Sequence, residues 1–332
     1  MRVAVAAAGV LIALAGCTTG TSIKPTGHAV ELTDVPFFSQ QRYQCGPAAL
    51  ATVLVDSGVH VSPEDLVPLV YVPDRKGSFQ PELKAAARRY DRLPYVLTPE
   101  PAALFAELDA GNPVLVLQNL LFDWWPQWHY AVVVGYDPDR QQLVLRSGTT
   151  ERRIESFRSF FRSWQGAGYW AVVALQPGQI PASAAPDRYV AMAAESESLI
   201  PASAMALVLE AGLQAWPDDA DMAFAAANHA RLQGDLVAAA TRYRQALRIE
   251  ANHVGALNNF SDLLFTEGCI ASAGTQIAIA RGLVPAGSPL DPIITATAEA
   301  IEAAPQSQDE GPLCDSLTAI RPTAPPELIL PR

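Results

Sequence analysis

The chain has 332 residues and half of them are hydrophobic, so it is long and apolar enough for two domains that each bury a core. Its formal net charge is −11 at pH 7. Phosphate backbones and anionic head groups repel an acidic chain, which excludes nonspecific binding of nucleic acid. We therefore expect no nucleic-acid partner.

The first 16 residues predict an export signal. Arg2 is followed by an uninterrupted small and apolar run that is too short to span a bilayer, and the run ends in LAGC at Cys17. This ending resembles the lipobox of bacterial lipoproteins. The resemblance implies cleavage before Cys17, lipidation of its thiol and a lipidated linker over residues 17–30. The alternative is an ordinary signal followed by an incidental cysteine.

A lipid anchor at Cys17 implies a location in the bacterial cell envelope. Thr18 follows Cys17 where an aspartate could stand, and by the lipoprotein sorting pattern this favours the outer membrane, on its periplasmic face. Stable anchoring needs more than one acyl chain, as lipoproteins carry. The membrane is thus an expected partner through the anchor.

Three cysteines remain after Cys17, so at least one of them is left without a partner inside the chain in an oxidising compartment. Cys269 and Cys314 both lie late in the chain and could form a bridge, although spacing alone does not establish connectivity. That pairing would leave Cys45 as a free thiol.

Helices come first and strands later in the first half of the chain. Apolar residues with helical spacing follow Cys45 and stop at Ser57, which predicts a helix of about three turns with Cys45 at its N-terminus. Capping residues and first-turn prolines predict two more helices, after Ser62 and over Ser78 to Tyr90. β-branched and aromatic runs then predict an antiparallel sheet. Its strands are expected at Val114–Leu117, His129–Tyr136, Leu143–Leu145 and Tyr169–Leu175.

A linker and a second domain follow. Residues 176–187 are rich in proline, alanine and serine without periodicity, so residues 177–200 are predicted to be a linker. Small residues then recur 34 positions apart, which resembles tetratricopeptide repeats and implies an all-α domain over residues 201–285. The tail, residues 286–332, is predicted to be mostly irregular apart from a short helix near Ile293 to Ala303. The recurring pairs are Gly234/Gly268, Ala239/Ala273 and Ala246/Ala280.

The passage around Cys45 carries the most specific chemistry. A thiol at a helix N-terminus meets unpaired amides and the positive end of the helix dipole, which lower its pKa towards that of a reactive thiolate. Gln40 can fold back so that its amide and the Cys45 N–H donate to an oxyanion during acyl transfer. Gln41 is the alternative donor. We predict Cys45 as the nucleophile and Gln40 as the oxyanion donor.

His129 is the predicted base. Of the five histidines it alone begins an apolar strand after a loop, where its ring can face a cleft. Asp137 is better interpreted as part of a turn, since extended chain at about 3.3 Å per residue puts it roughly 26 Å from His129. Folding back at that turn brings Ser147 opposite His129. We predict that Ser147 orients the imidazole, with Asn119 on the preceding strand as the alternative.

The Cys45 passage, with its glutamine, short gap, Cys-Gly-Pro and small-residue helix, resembles the peptidases related to the bacteriocin-processing, double-glycine-leader family. The later run WHYAVVVGY at His129 is similar to the histidine strand of that family. The resemblance spans roughly residues 35–175 and implies an α+β papain-like cysteine peptidase domain over residues 31–176. The family usually places an aspartate before proline near the position of Ser147, where this chain has no carboxylate.

Three tryptophans stand in the segment from Asp123 to Trp128, directly before His129. They indicate either an aromatic cluster that covers the core or a cleft wall that grips an extended peptide.

The residues and the resemblance together predict an envelope lipoprotein that is a cysteine peptidase with a peptide or protein substrate. The repeats would bind substrate or a protein partner. Two alternatives stay open: a thiol amidase acting on cell-wall peptides, and a catalytically weak or silent scaffold. The chain has no HExxH, no paired CxxC and no phosphate-binding glycine loop, so we expect no metal and no cofactor.

Overall fold

The computed structural model describes residues 28–40, 44–305 and 312–318. The predicted signal segment, Cys17 and Gln41 lie outside these residues. The described chain forms an α+β domain followed by a helical domain. Within it, no helix is long and apolar enough to cross a bilayer.

The helices at the start of the first domain agree with the sequence prediction. The second of them is capped by Ser62, whose side chain accepts from the Asp65 N–H while the Asp65 carboxylate accepts from the Ser62 N–H. A short 3-10 turn, Pro73–Arg75, precedes the third helix. The helices are α1 (Cys45–Asp56), α2 (Pro63–Val70) and α3 (Gln80–Arg89).

Seven strands of the described chain form one antiparallel sheet. They are β1 (Val30–Glu31), β2 (Leu93–Val96), β3 (Val114–Asn119), β4 (Trp128–Asp137), β5 (Gln142–Ser147), β6 (Thr150–Ser156) and β7 (Ala171–Leu175). The order is β2-β7-β3-β4-β5-β6, with β1 paired to β4. The predicted strands correspond to β3, β4, β5 and β7.

The two ends of the sheet were not expected from the sequence. β6 is exposed at most of its positions, so it lacks the apolar alternation that indicates a strand. β2 contains Pro94, which removes a backbone donor and is tolerated at an edge. The helices α4 (Pro101–Asp109) and α5 (Phe157–Gln165) also escaped prediction.

Side chains alternate between two cores along β4. Tyr130, Val132 and Val134 pack on the face covered by α1, α2 and α3. Ala131 and Val133 pack on the opposite face, which α4 and α5 cover. The sheet is therefore buried on both sides, and the N-terminus of α1 lies against the start of β4.

The second domain is all-α in the described residues. Its helices are α6 (Pro186–Ser196), α7 (Ala202–Ala215), α8 (Ala220–Leu232), α9 (Leu236–Ile249), α10 (Val254–Thr266), α11 (Ile270–Leu283), α12 (Asp291–Ala303) and α13 (Pro312–Thr318). The pair α8 and α9 recurs as the pair α10 and α11 with an offset of 34 residues. This is the spacing expected of tetratricopeptide repeats, an identity that stays a prediction.

The predicted linker is wrong, and the tail contains one helix more than the sequence predicted. The linker assigned to residues 177–200 contains α6, which begins at a first-turn proline and buries Tyr189, Met192 and Ala193. The tail assigned as mostly irregular contains the expected helix α12 and, in addition, α13. Helix α13 is held by a disulfide between Cys269 and Cys314, so the possible bridge is present and Cys45 is a free thiol.

Candidate active site

Cys45 is the first residue of α1 and is partly exposed. The backbone N–H groups of Tyr130, Gly46 and Cys45 itself lie around its sulfur and favour the thiolate. Burial raises the pKa of the Cys45 thiol, and the N–H groups oppose that rise without cancelling it. The predicted lowering of this pKa is therefore wrong, because desolvation of the thiolate outweighs the amides of the helix terminus.

Gly46 lets the loop before α3 approach the N-terminus of α1. A Cβ on Gly46 would lie 2.4 Å from Ser78 Oγ and 2.6 Å from Ser78 Cβ. The Ser78 carbonyl also accepts a hydrogen bond of 3.3 Å from the Tyr130 hydroxyl. The glycine after Cys45 is thus required by the close packing of this loop against the site.

His129 is the second residue of β4, and its Nε2 lies 2.8 Å from Ser147 Oγ. Burial lowers the pKa of His129 to about 4, and the positive charge of Arg153 contributes in the same direction. The imidazole is therefore neutral at neutral pH. With Nε2 donating to Ser147, Nδ1 is left as the acceptor for a proton from a thiol.

Cys45 and His129 line one cavity without a direct bond. Among the described residues, no hydrogen bond joins the Cys45 sulfur to the His129 ring. The sulfur instead contacts the N–H of Tyr130, the residue after His129. The resting pair is thus a thiol beside a neutral imidazole.

Ser147 lies opposite His129 as predicted, whereas the side-chain oxygen of the alternative, Asn119, is bonded elsewhere. Asn119 Oδ1 accepts from the N–H of Leu121 at 3.2 Å and of Gln127 at 3.0 Å, so it closes the loop that precedes β4. The catalytic role of Ser147 stays a prediction.

Gln118, which the sequence did not single out, is the neighbour of His129 across the β3–β4 pair. Its amide donates to Glu155 Oε2 at 3.3 Å and to Ser163 Oγ at 2.8 Å. A buried carboxylate, that of Glu155, therefore lies on the His129 face of the sheet, but it accepts hydrogen bonds from Gln118 and Ser159.

Gln40 lies beside the nucleophile, as predicted. Its backbone N–H donates to the Gly148 carbonyl at 2.9 Å, and its side-chain amide donates to the Tyr130 carbonyl at 3.3 Å. An amide nitrogen carries two hydrogens, so one remains for an oxyanion formed next to Cys45.

Arg146 holds the segment that leads to Gln40. It is 5% exposed, and its guanidinium donates to the carbonyls of Val35, Thr33 and Glu151 at 2.9 to 3.2 Å. Because Arg146 precedes Ser147 on β5, one strand fixes both the segment bearing Gln40 and the partner of His129.

A cavity of about 890 Å³ joins these groups. Its described lining includes Gln40, Cys45, His129, Tyr130 and Trp128. Trp124, Trp125 and Trp128 are 78%, 67% and 53% exposed, so the interpretation of the tryptophans as a cover for the core is wrong. Of the three, Trp128 alone belongs to the described lining of this cavity.

Residues 32–172 match the model of the Peptidase_C39 like family, which covers nearly all of the α+β domain. Its helices followed by an antiparallel sheet fit the papain-like fold. A solved protein from Bacillus anthracis, described as a C39-like peptidase, is 17% identical over 45% of this chain and 98% of its own, with a TM-score of 0.39. A double glycine motif protease from the AMS/PCAT transporter, solved in complex with the leader peptide, is 20% identical over 46% and 96%, with a TM-score of 0.33. No curated protein matches the chain significantly.

Proposed function

We propose that the first domain is a cysteine peptidase that cleaves peptide bonds by acyl transfer to Cys45. The observation that carries this proposal is the convergence of a free thiol, a neutral imidazole and the Gln40 amide on one open cavity. These are the groups that nucleophilic acyl transfer requires: a nucleophile, a base and donors for the oxyanion.

The proposed reaction begins from the neutral pair. His129 takes the Cys45 proton as the sulfur attacks the peptide carbonyl, and the Gln40 amide with the Cys45 N–H receives the oxyanion. The protonated imidazole then gives its proton to the leaving amine. Water, deprotonated by His129, attacks the thioester and releases the acid, which restores the thiol. Ser147 keeps Nε2 engaged, which leaves Nδ1 as the nitrogen that exchanges the proton with the sulfur.

The exposed aromatic loop supports an extended peptide as substrate. Trp128 lines the cavity, and Phe122 stacks on Trp124 in the same loop with ring centroids 5.6 Å apart. Flat apolar side chains beside a polar site contact a peptide with apolar residues at little entropic cost.

Alkylation of Cys45 tests the chemistry without a known substrate. The full chain carrying Cys17→Ser would be treated with iodoacetamide across pH, beside the same chain with His129→Ala. We expect His129→Ala to slow alkylation at pH 7 by about tenfold or more, because general base assistance contributes at least that much. The proposal would be contradicted if His129→Ala left the alkylation rate unchanged and if that rate rose only near pH 8.5, which is about the pKa of a free thiol.

Cleavage itself is tested with a proteome-derived peptide library analysed by mass spectrometry. New peptide termini that appear with the wild-type chain and not with Cys45→Ala would support a peptidase. Cell-wall peptide fragments form a second arm, and cleavage confined to them would favour the thiol amidase.

A catalytically silent scaffold is the second candidate function. It is favoured by the contact of His129 Nε2 with the Ser147 hydroxyl, since a hydroxyl cannot stabilise the imidazolium as a carboxylate does. Normal His129-dependent alkylation with no cleavage in either peptide arm would be its signature.

We further propose that the protein acts in the cell envelope, anchored through Cys17, and that the helical domain binds a substrate segment or a protein partner. The LAGC sequence before Thr18 and the 34-residue offset of the helix pairs support these roles. Metabolic labelling with an alkyne fatty acid, compared between wild type and Cys17→Ser, tests the anchor.

A further inference from the structure

The cavity at Cys45 has a charge opposite to that of the chain. The protein has a net charge of −11, yet the described residues that line this cavity include Arg75 and Lys76 and no aspartate or glutamate. Positive side chains at the place where substrate enters attract negatively charged ligands, even in a protein whose net charge is negative.

The two cations stand on a turn whose backbone is fixed. The Val72 N–H donates to the Gly77 carbonyl at 2.8 Å, and the Lys76 N–H donates to the Pro73 carbonyl at 3.1 Å. Lys76 has a φ of 50°, in the left-handed region, which turns the chain back towards the site. The turn therefore presents both side chains at the mouth of the cavity.

This turn leads into a residue that packs beside the nucleophile. Gly77 is followed by Ser78, whose side chain fills the space beside Gly46. The cations are thus within three residues of a group packed against the N-terminus of α1. Arg75 forms no ion pair with another described residue, so its charge is available to a ligand.

Two exposed aromatic rings also belong to the lining of the cavity. Phe79 and Trp128 line the cavity and are 41% and 53% exposed. A ligand that fits this mouth combines an apolar group for these rings with an anionic group for the turn.

We propose that the cavity selects peptides that carry a carboxylate close to the scissile bond, and that Arg75 and Lys76 bind this carboxylate. The selection rests on the proposed cysteine peptidase function. The carboxylate comes from an acidic side chain or from a free C-terminus, which share the same chemistry. Exposed ion pairs are individually weak, so the two cations act mainly on the rate of entry, and this effect falls with salt.

Two alkylating agents of nearly equal size test the charge of the cavity. Iodoacetate and iodoacetamide react with the same sulfur, but iodoacetate carries a negative charge. The measured quantity is the rate of Cys45 alkylation by iodoacetate divided by the rate with iodoacetamide. In the full chain with Cys17→Ser, we expect the double variant Arg75→Gln, Lys76→Gln to lower this ratio about fourfold at low salt. Arg89→Gln, an exposed arginine of the same domain outside the cavity lining, is the matched control and should leave the ratio unchanged.

The outcomes separate the two proposals. If Cys45 reacts with iodoacetamide in a His129-dependent way and the ratio is the same in all variants, the carboxylate selection is wrong and the peptidase proposal stands. If Cys45 reacts like a free thiol, the peptidase proposal is wrong. The charge selection is then decided by binding alone.

Binding is measured on the Cys45→Ala chain with fluorescein-labelled peptides by anisotropy. The probes are capped alanine-rich decapeptides with a tryptophan and a central glutamate, glutamine or lysine, and the glutamine peptide with a free C-terminus. We expect the glutamate peptide to bind tighter than the glutamine and lysine peptides, and the double variant to abolish the difference. Tighter binding of the uncapped glutamine peptide alone would identify a terminal carboxylate. Equal binding of all four would overturn the selection.

Discussion

The imidazole of His129 contacts the hydroxyl of Ser147, at the position where a catalytic triad has a carboxylate that stabilises the imidazolium. Ser147 Oγ can accept from Nε2 and so fix the ring, but it brings no charge, while Arg153 on β6 adds a positive one. Burial and this charge together give His129 a pKa of about 4. The ring is thus a weak base that remains unprotonated over a wide range of acidic pH.

This pKa predicts the acid limit of activity. Only the neutral ring can accept the Cys45 proton, and it is present above the pKa and lost as the pH falls through about 4. We therefore expect His129-dependent alkylation of Cys45 by iodoacetamide to be nearly constant from pH 7 to about pH 5.5 and to fall around pH 4. The measurement is the alkylation rate of the wild type minus that of His129→Ala. We call the fall of this rate at low pH the acid limb, and an acid limb centred near pH 6.5 would contradict the prediction.

Ser147 predicts how that limit can be moved. Ser147→Asp places a carboxylate at Nε2, which favours the imidazolium, raises the pKa of His129 and shifts the acid limb towards about pH 6. Ser147→Ala removes the orienting contact and should slow alkylation about tenfold, while the pH at which the rate falls stays the same. Ser163→Ala, a serine that contacts Gln118 rather than His129, is the control. An acid limb that stays near pH 4 in a folded Ser147→Asp variant would exclude this role.

At the scale of elements, the sequence predicted the parts whose signals are local. Helix α1 was predicted from the spacing after Cys45, and β4 from its unbroken apolar run. The contact of Ser147 with His129 followed from folding one hairpin. β6 and α6 could not be predicted in this way, because β6 is exposed and α6 begins in a segment with linker composition.

The site also depends on contacts between elements that no local signal reveals. The hydrogen bond from the Arg146 guanidinium to the Val35 carbonyl joins residues that are 111 apart in sequence. The fall of the His129 pKa and the rise of the Cys45 pKa both come from burial by distant parts of the chain. The sequence therefore predicted which residues meet and not which protonation state they would have.

The contact of α1 with the loop before α3 gives a test at this scale. Gly46→Ala places a Cβ against Ser78, and we expect a loss of about 1–3 kcal/mol in the free energy of unfolding and slower alkylation of Cys45. Ser78→Gly in the same chain should recover part of both. Urea unfolding measures the first. Gly274→Ala in α11 is the control, since its Cβ would be 3.9 Å from the nearest other side chain. Equal losses in both alanine variants would contradict the packing argument.

At the scale of the whole molecule, the helical domain is fixed to the first domain. Arg88 on α3 donates to Ser196 Oγ at 3.0 Å and pairs with Glu195 on α6. Glu107, fully buried, accepts from the Ser183 N–H and hydroxyl at 2.7 and 2.6 Å. The segment between the domains is held by these contacts, so its composition did not predict its rigidity.

The disulfide gives a prediction for the far end of the molecule. Cys269 and Cys314 are separated by 45 residues, and closing a loop of that length is worth about 2–4 kcal/mol. We expect Cys314→Ser to lower the free energy of unfolding by that amount, seen as a lower urea midpoint, and to leave the rate of Cys45 alkylation at pH 7 unchanged. Reduction of the wild-type chain should reproduce the shift. An unchanged midpoint, or a slower Cys45 reaction, would contradict an effect confined to the helical domain.

The exposure of the aromatic loop gives the protein an intrinsic optical signal. Trp124, Trp125 and Trp128 are exposed while Trp164 is fully buried, so the emission spectrum contains a solvent-sensitive component from this loop, of which Trp128 lines the cavity. A ligand that covers Trp128 would shift this component to shorter wavelength and protect it from acrylamide quenching. Occupancy of the cavity can therefore be followed in the unlabelled protein, in real time.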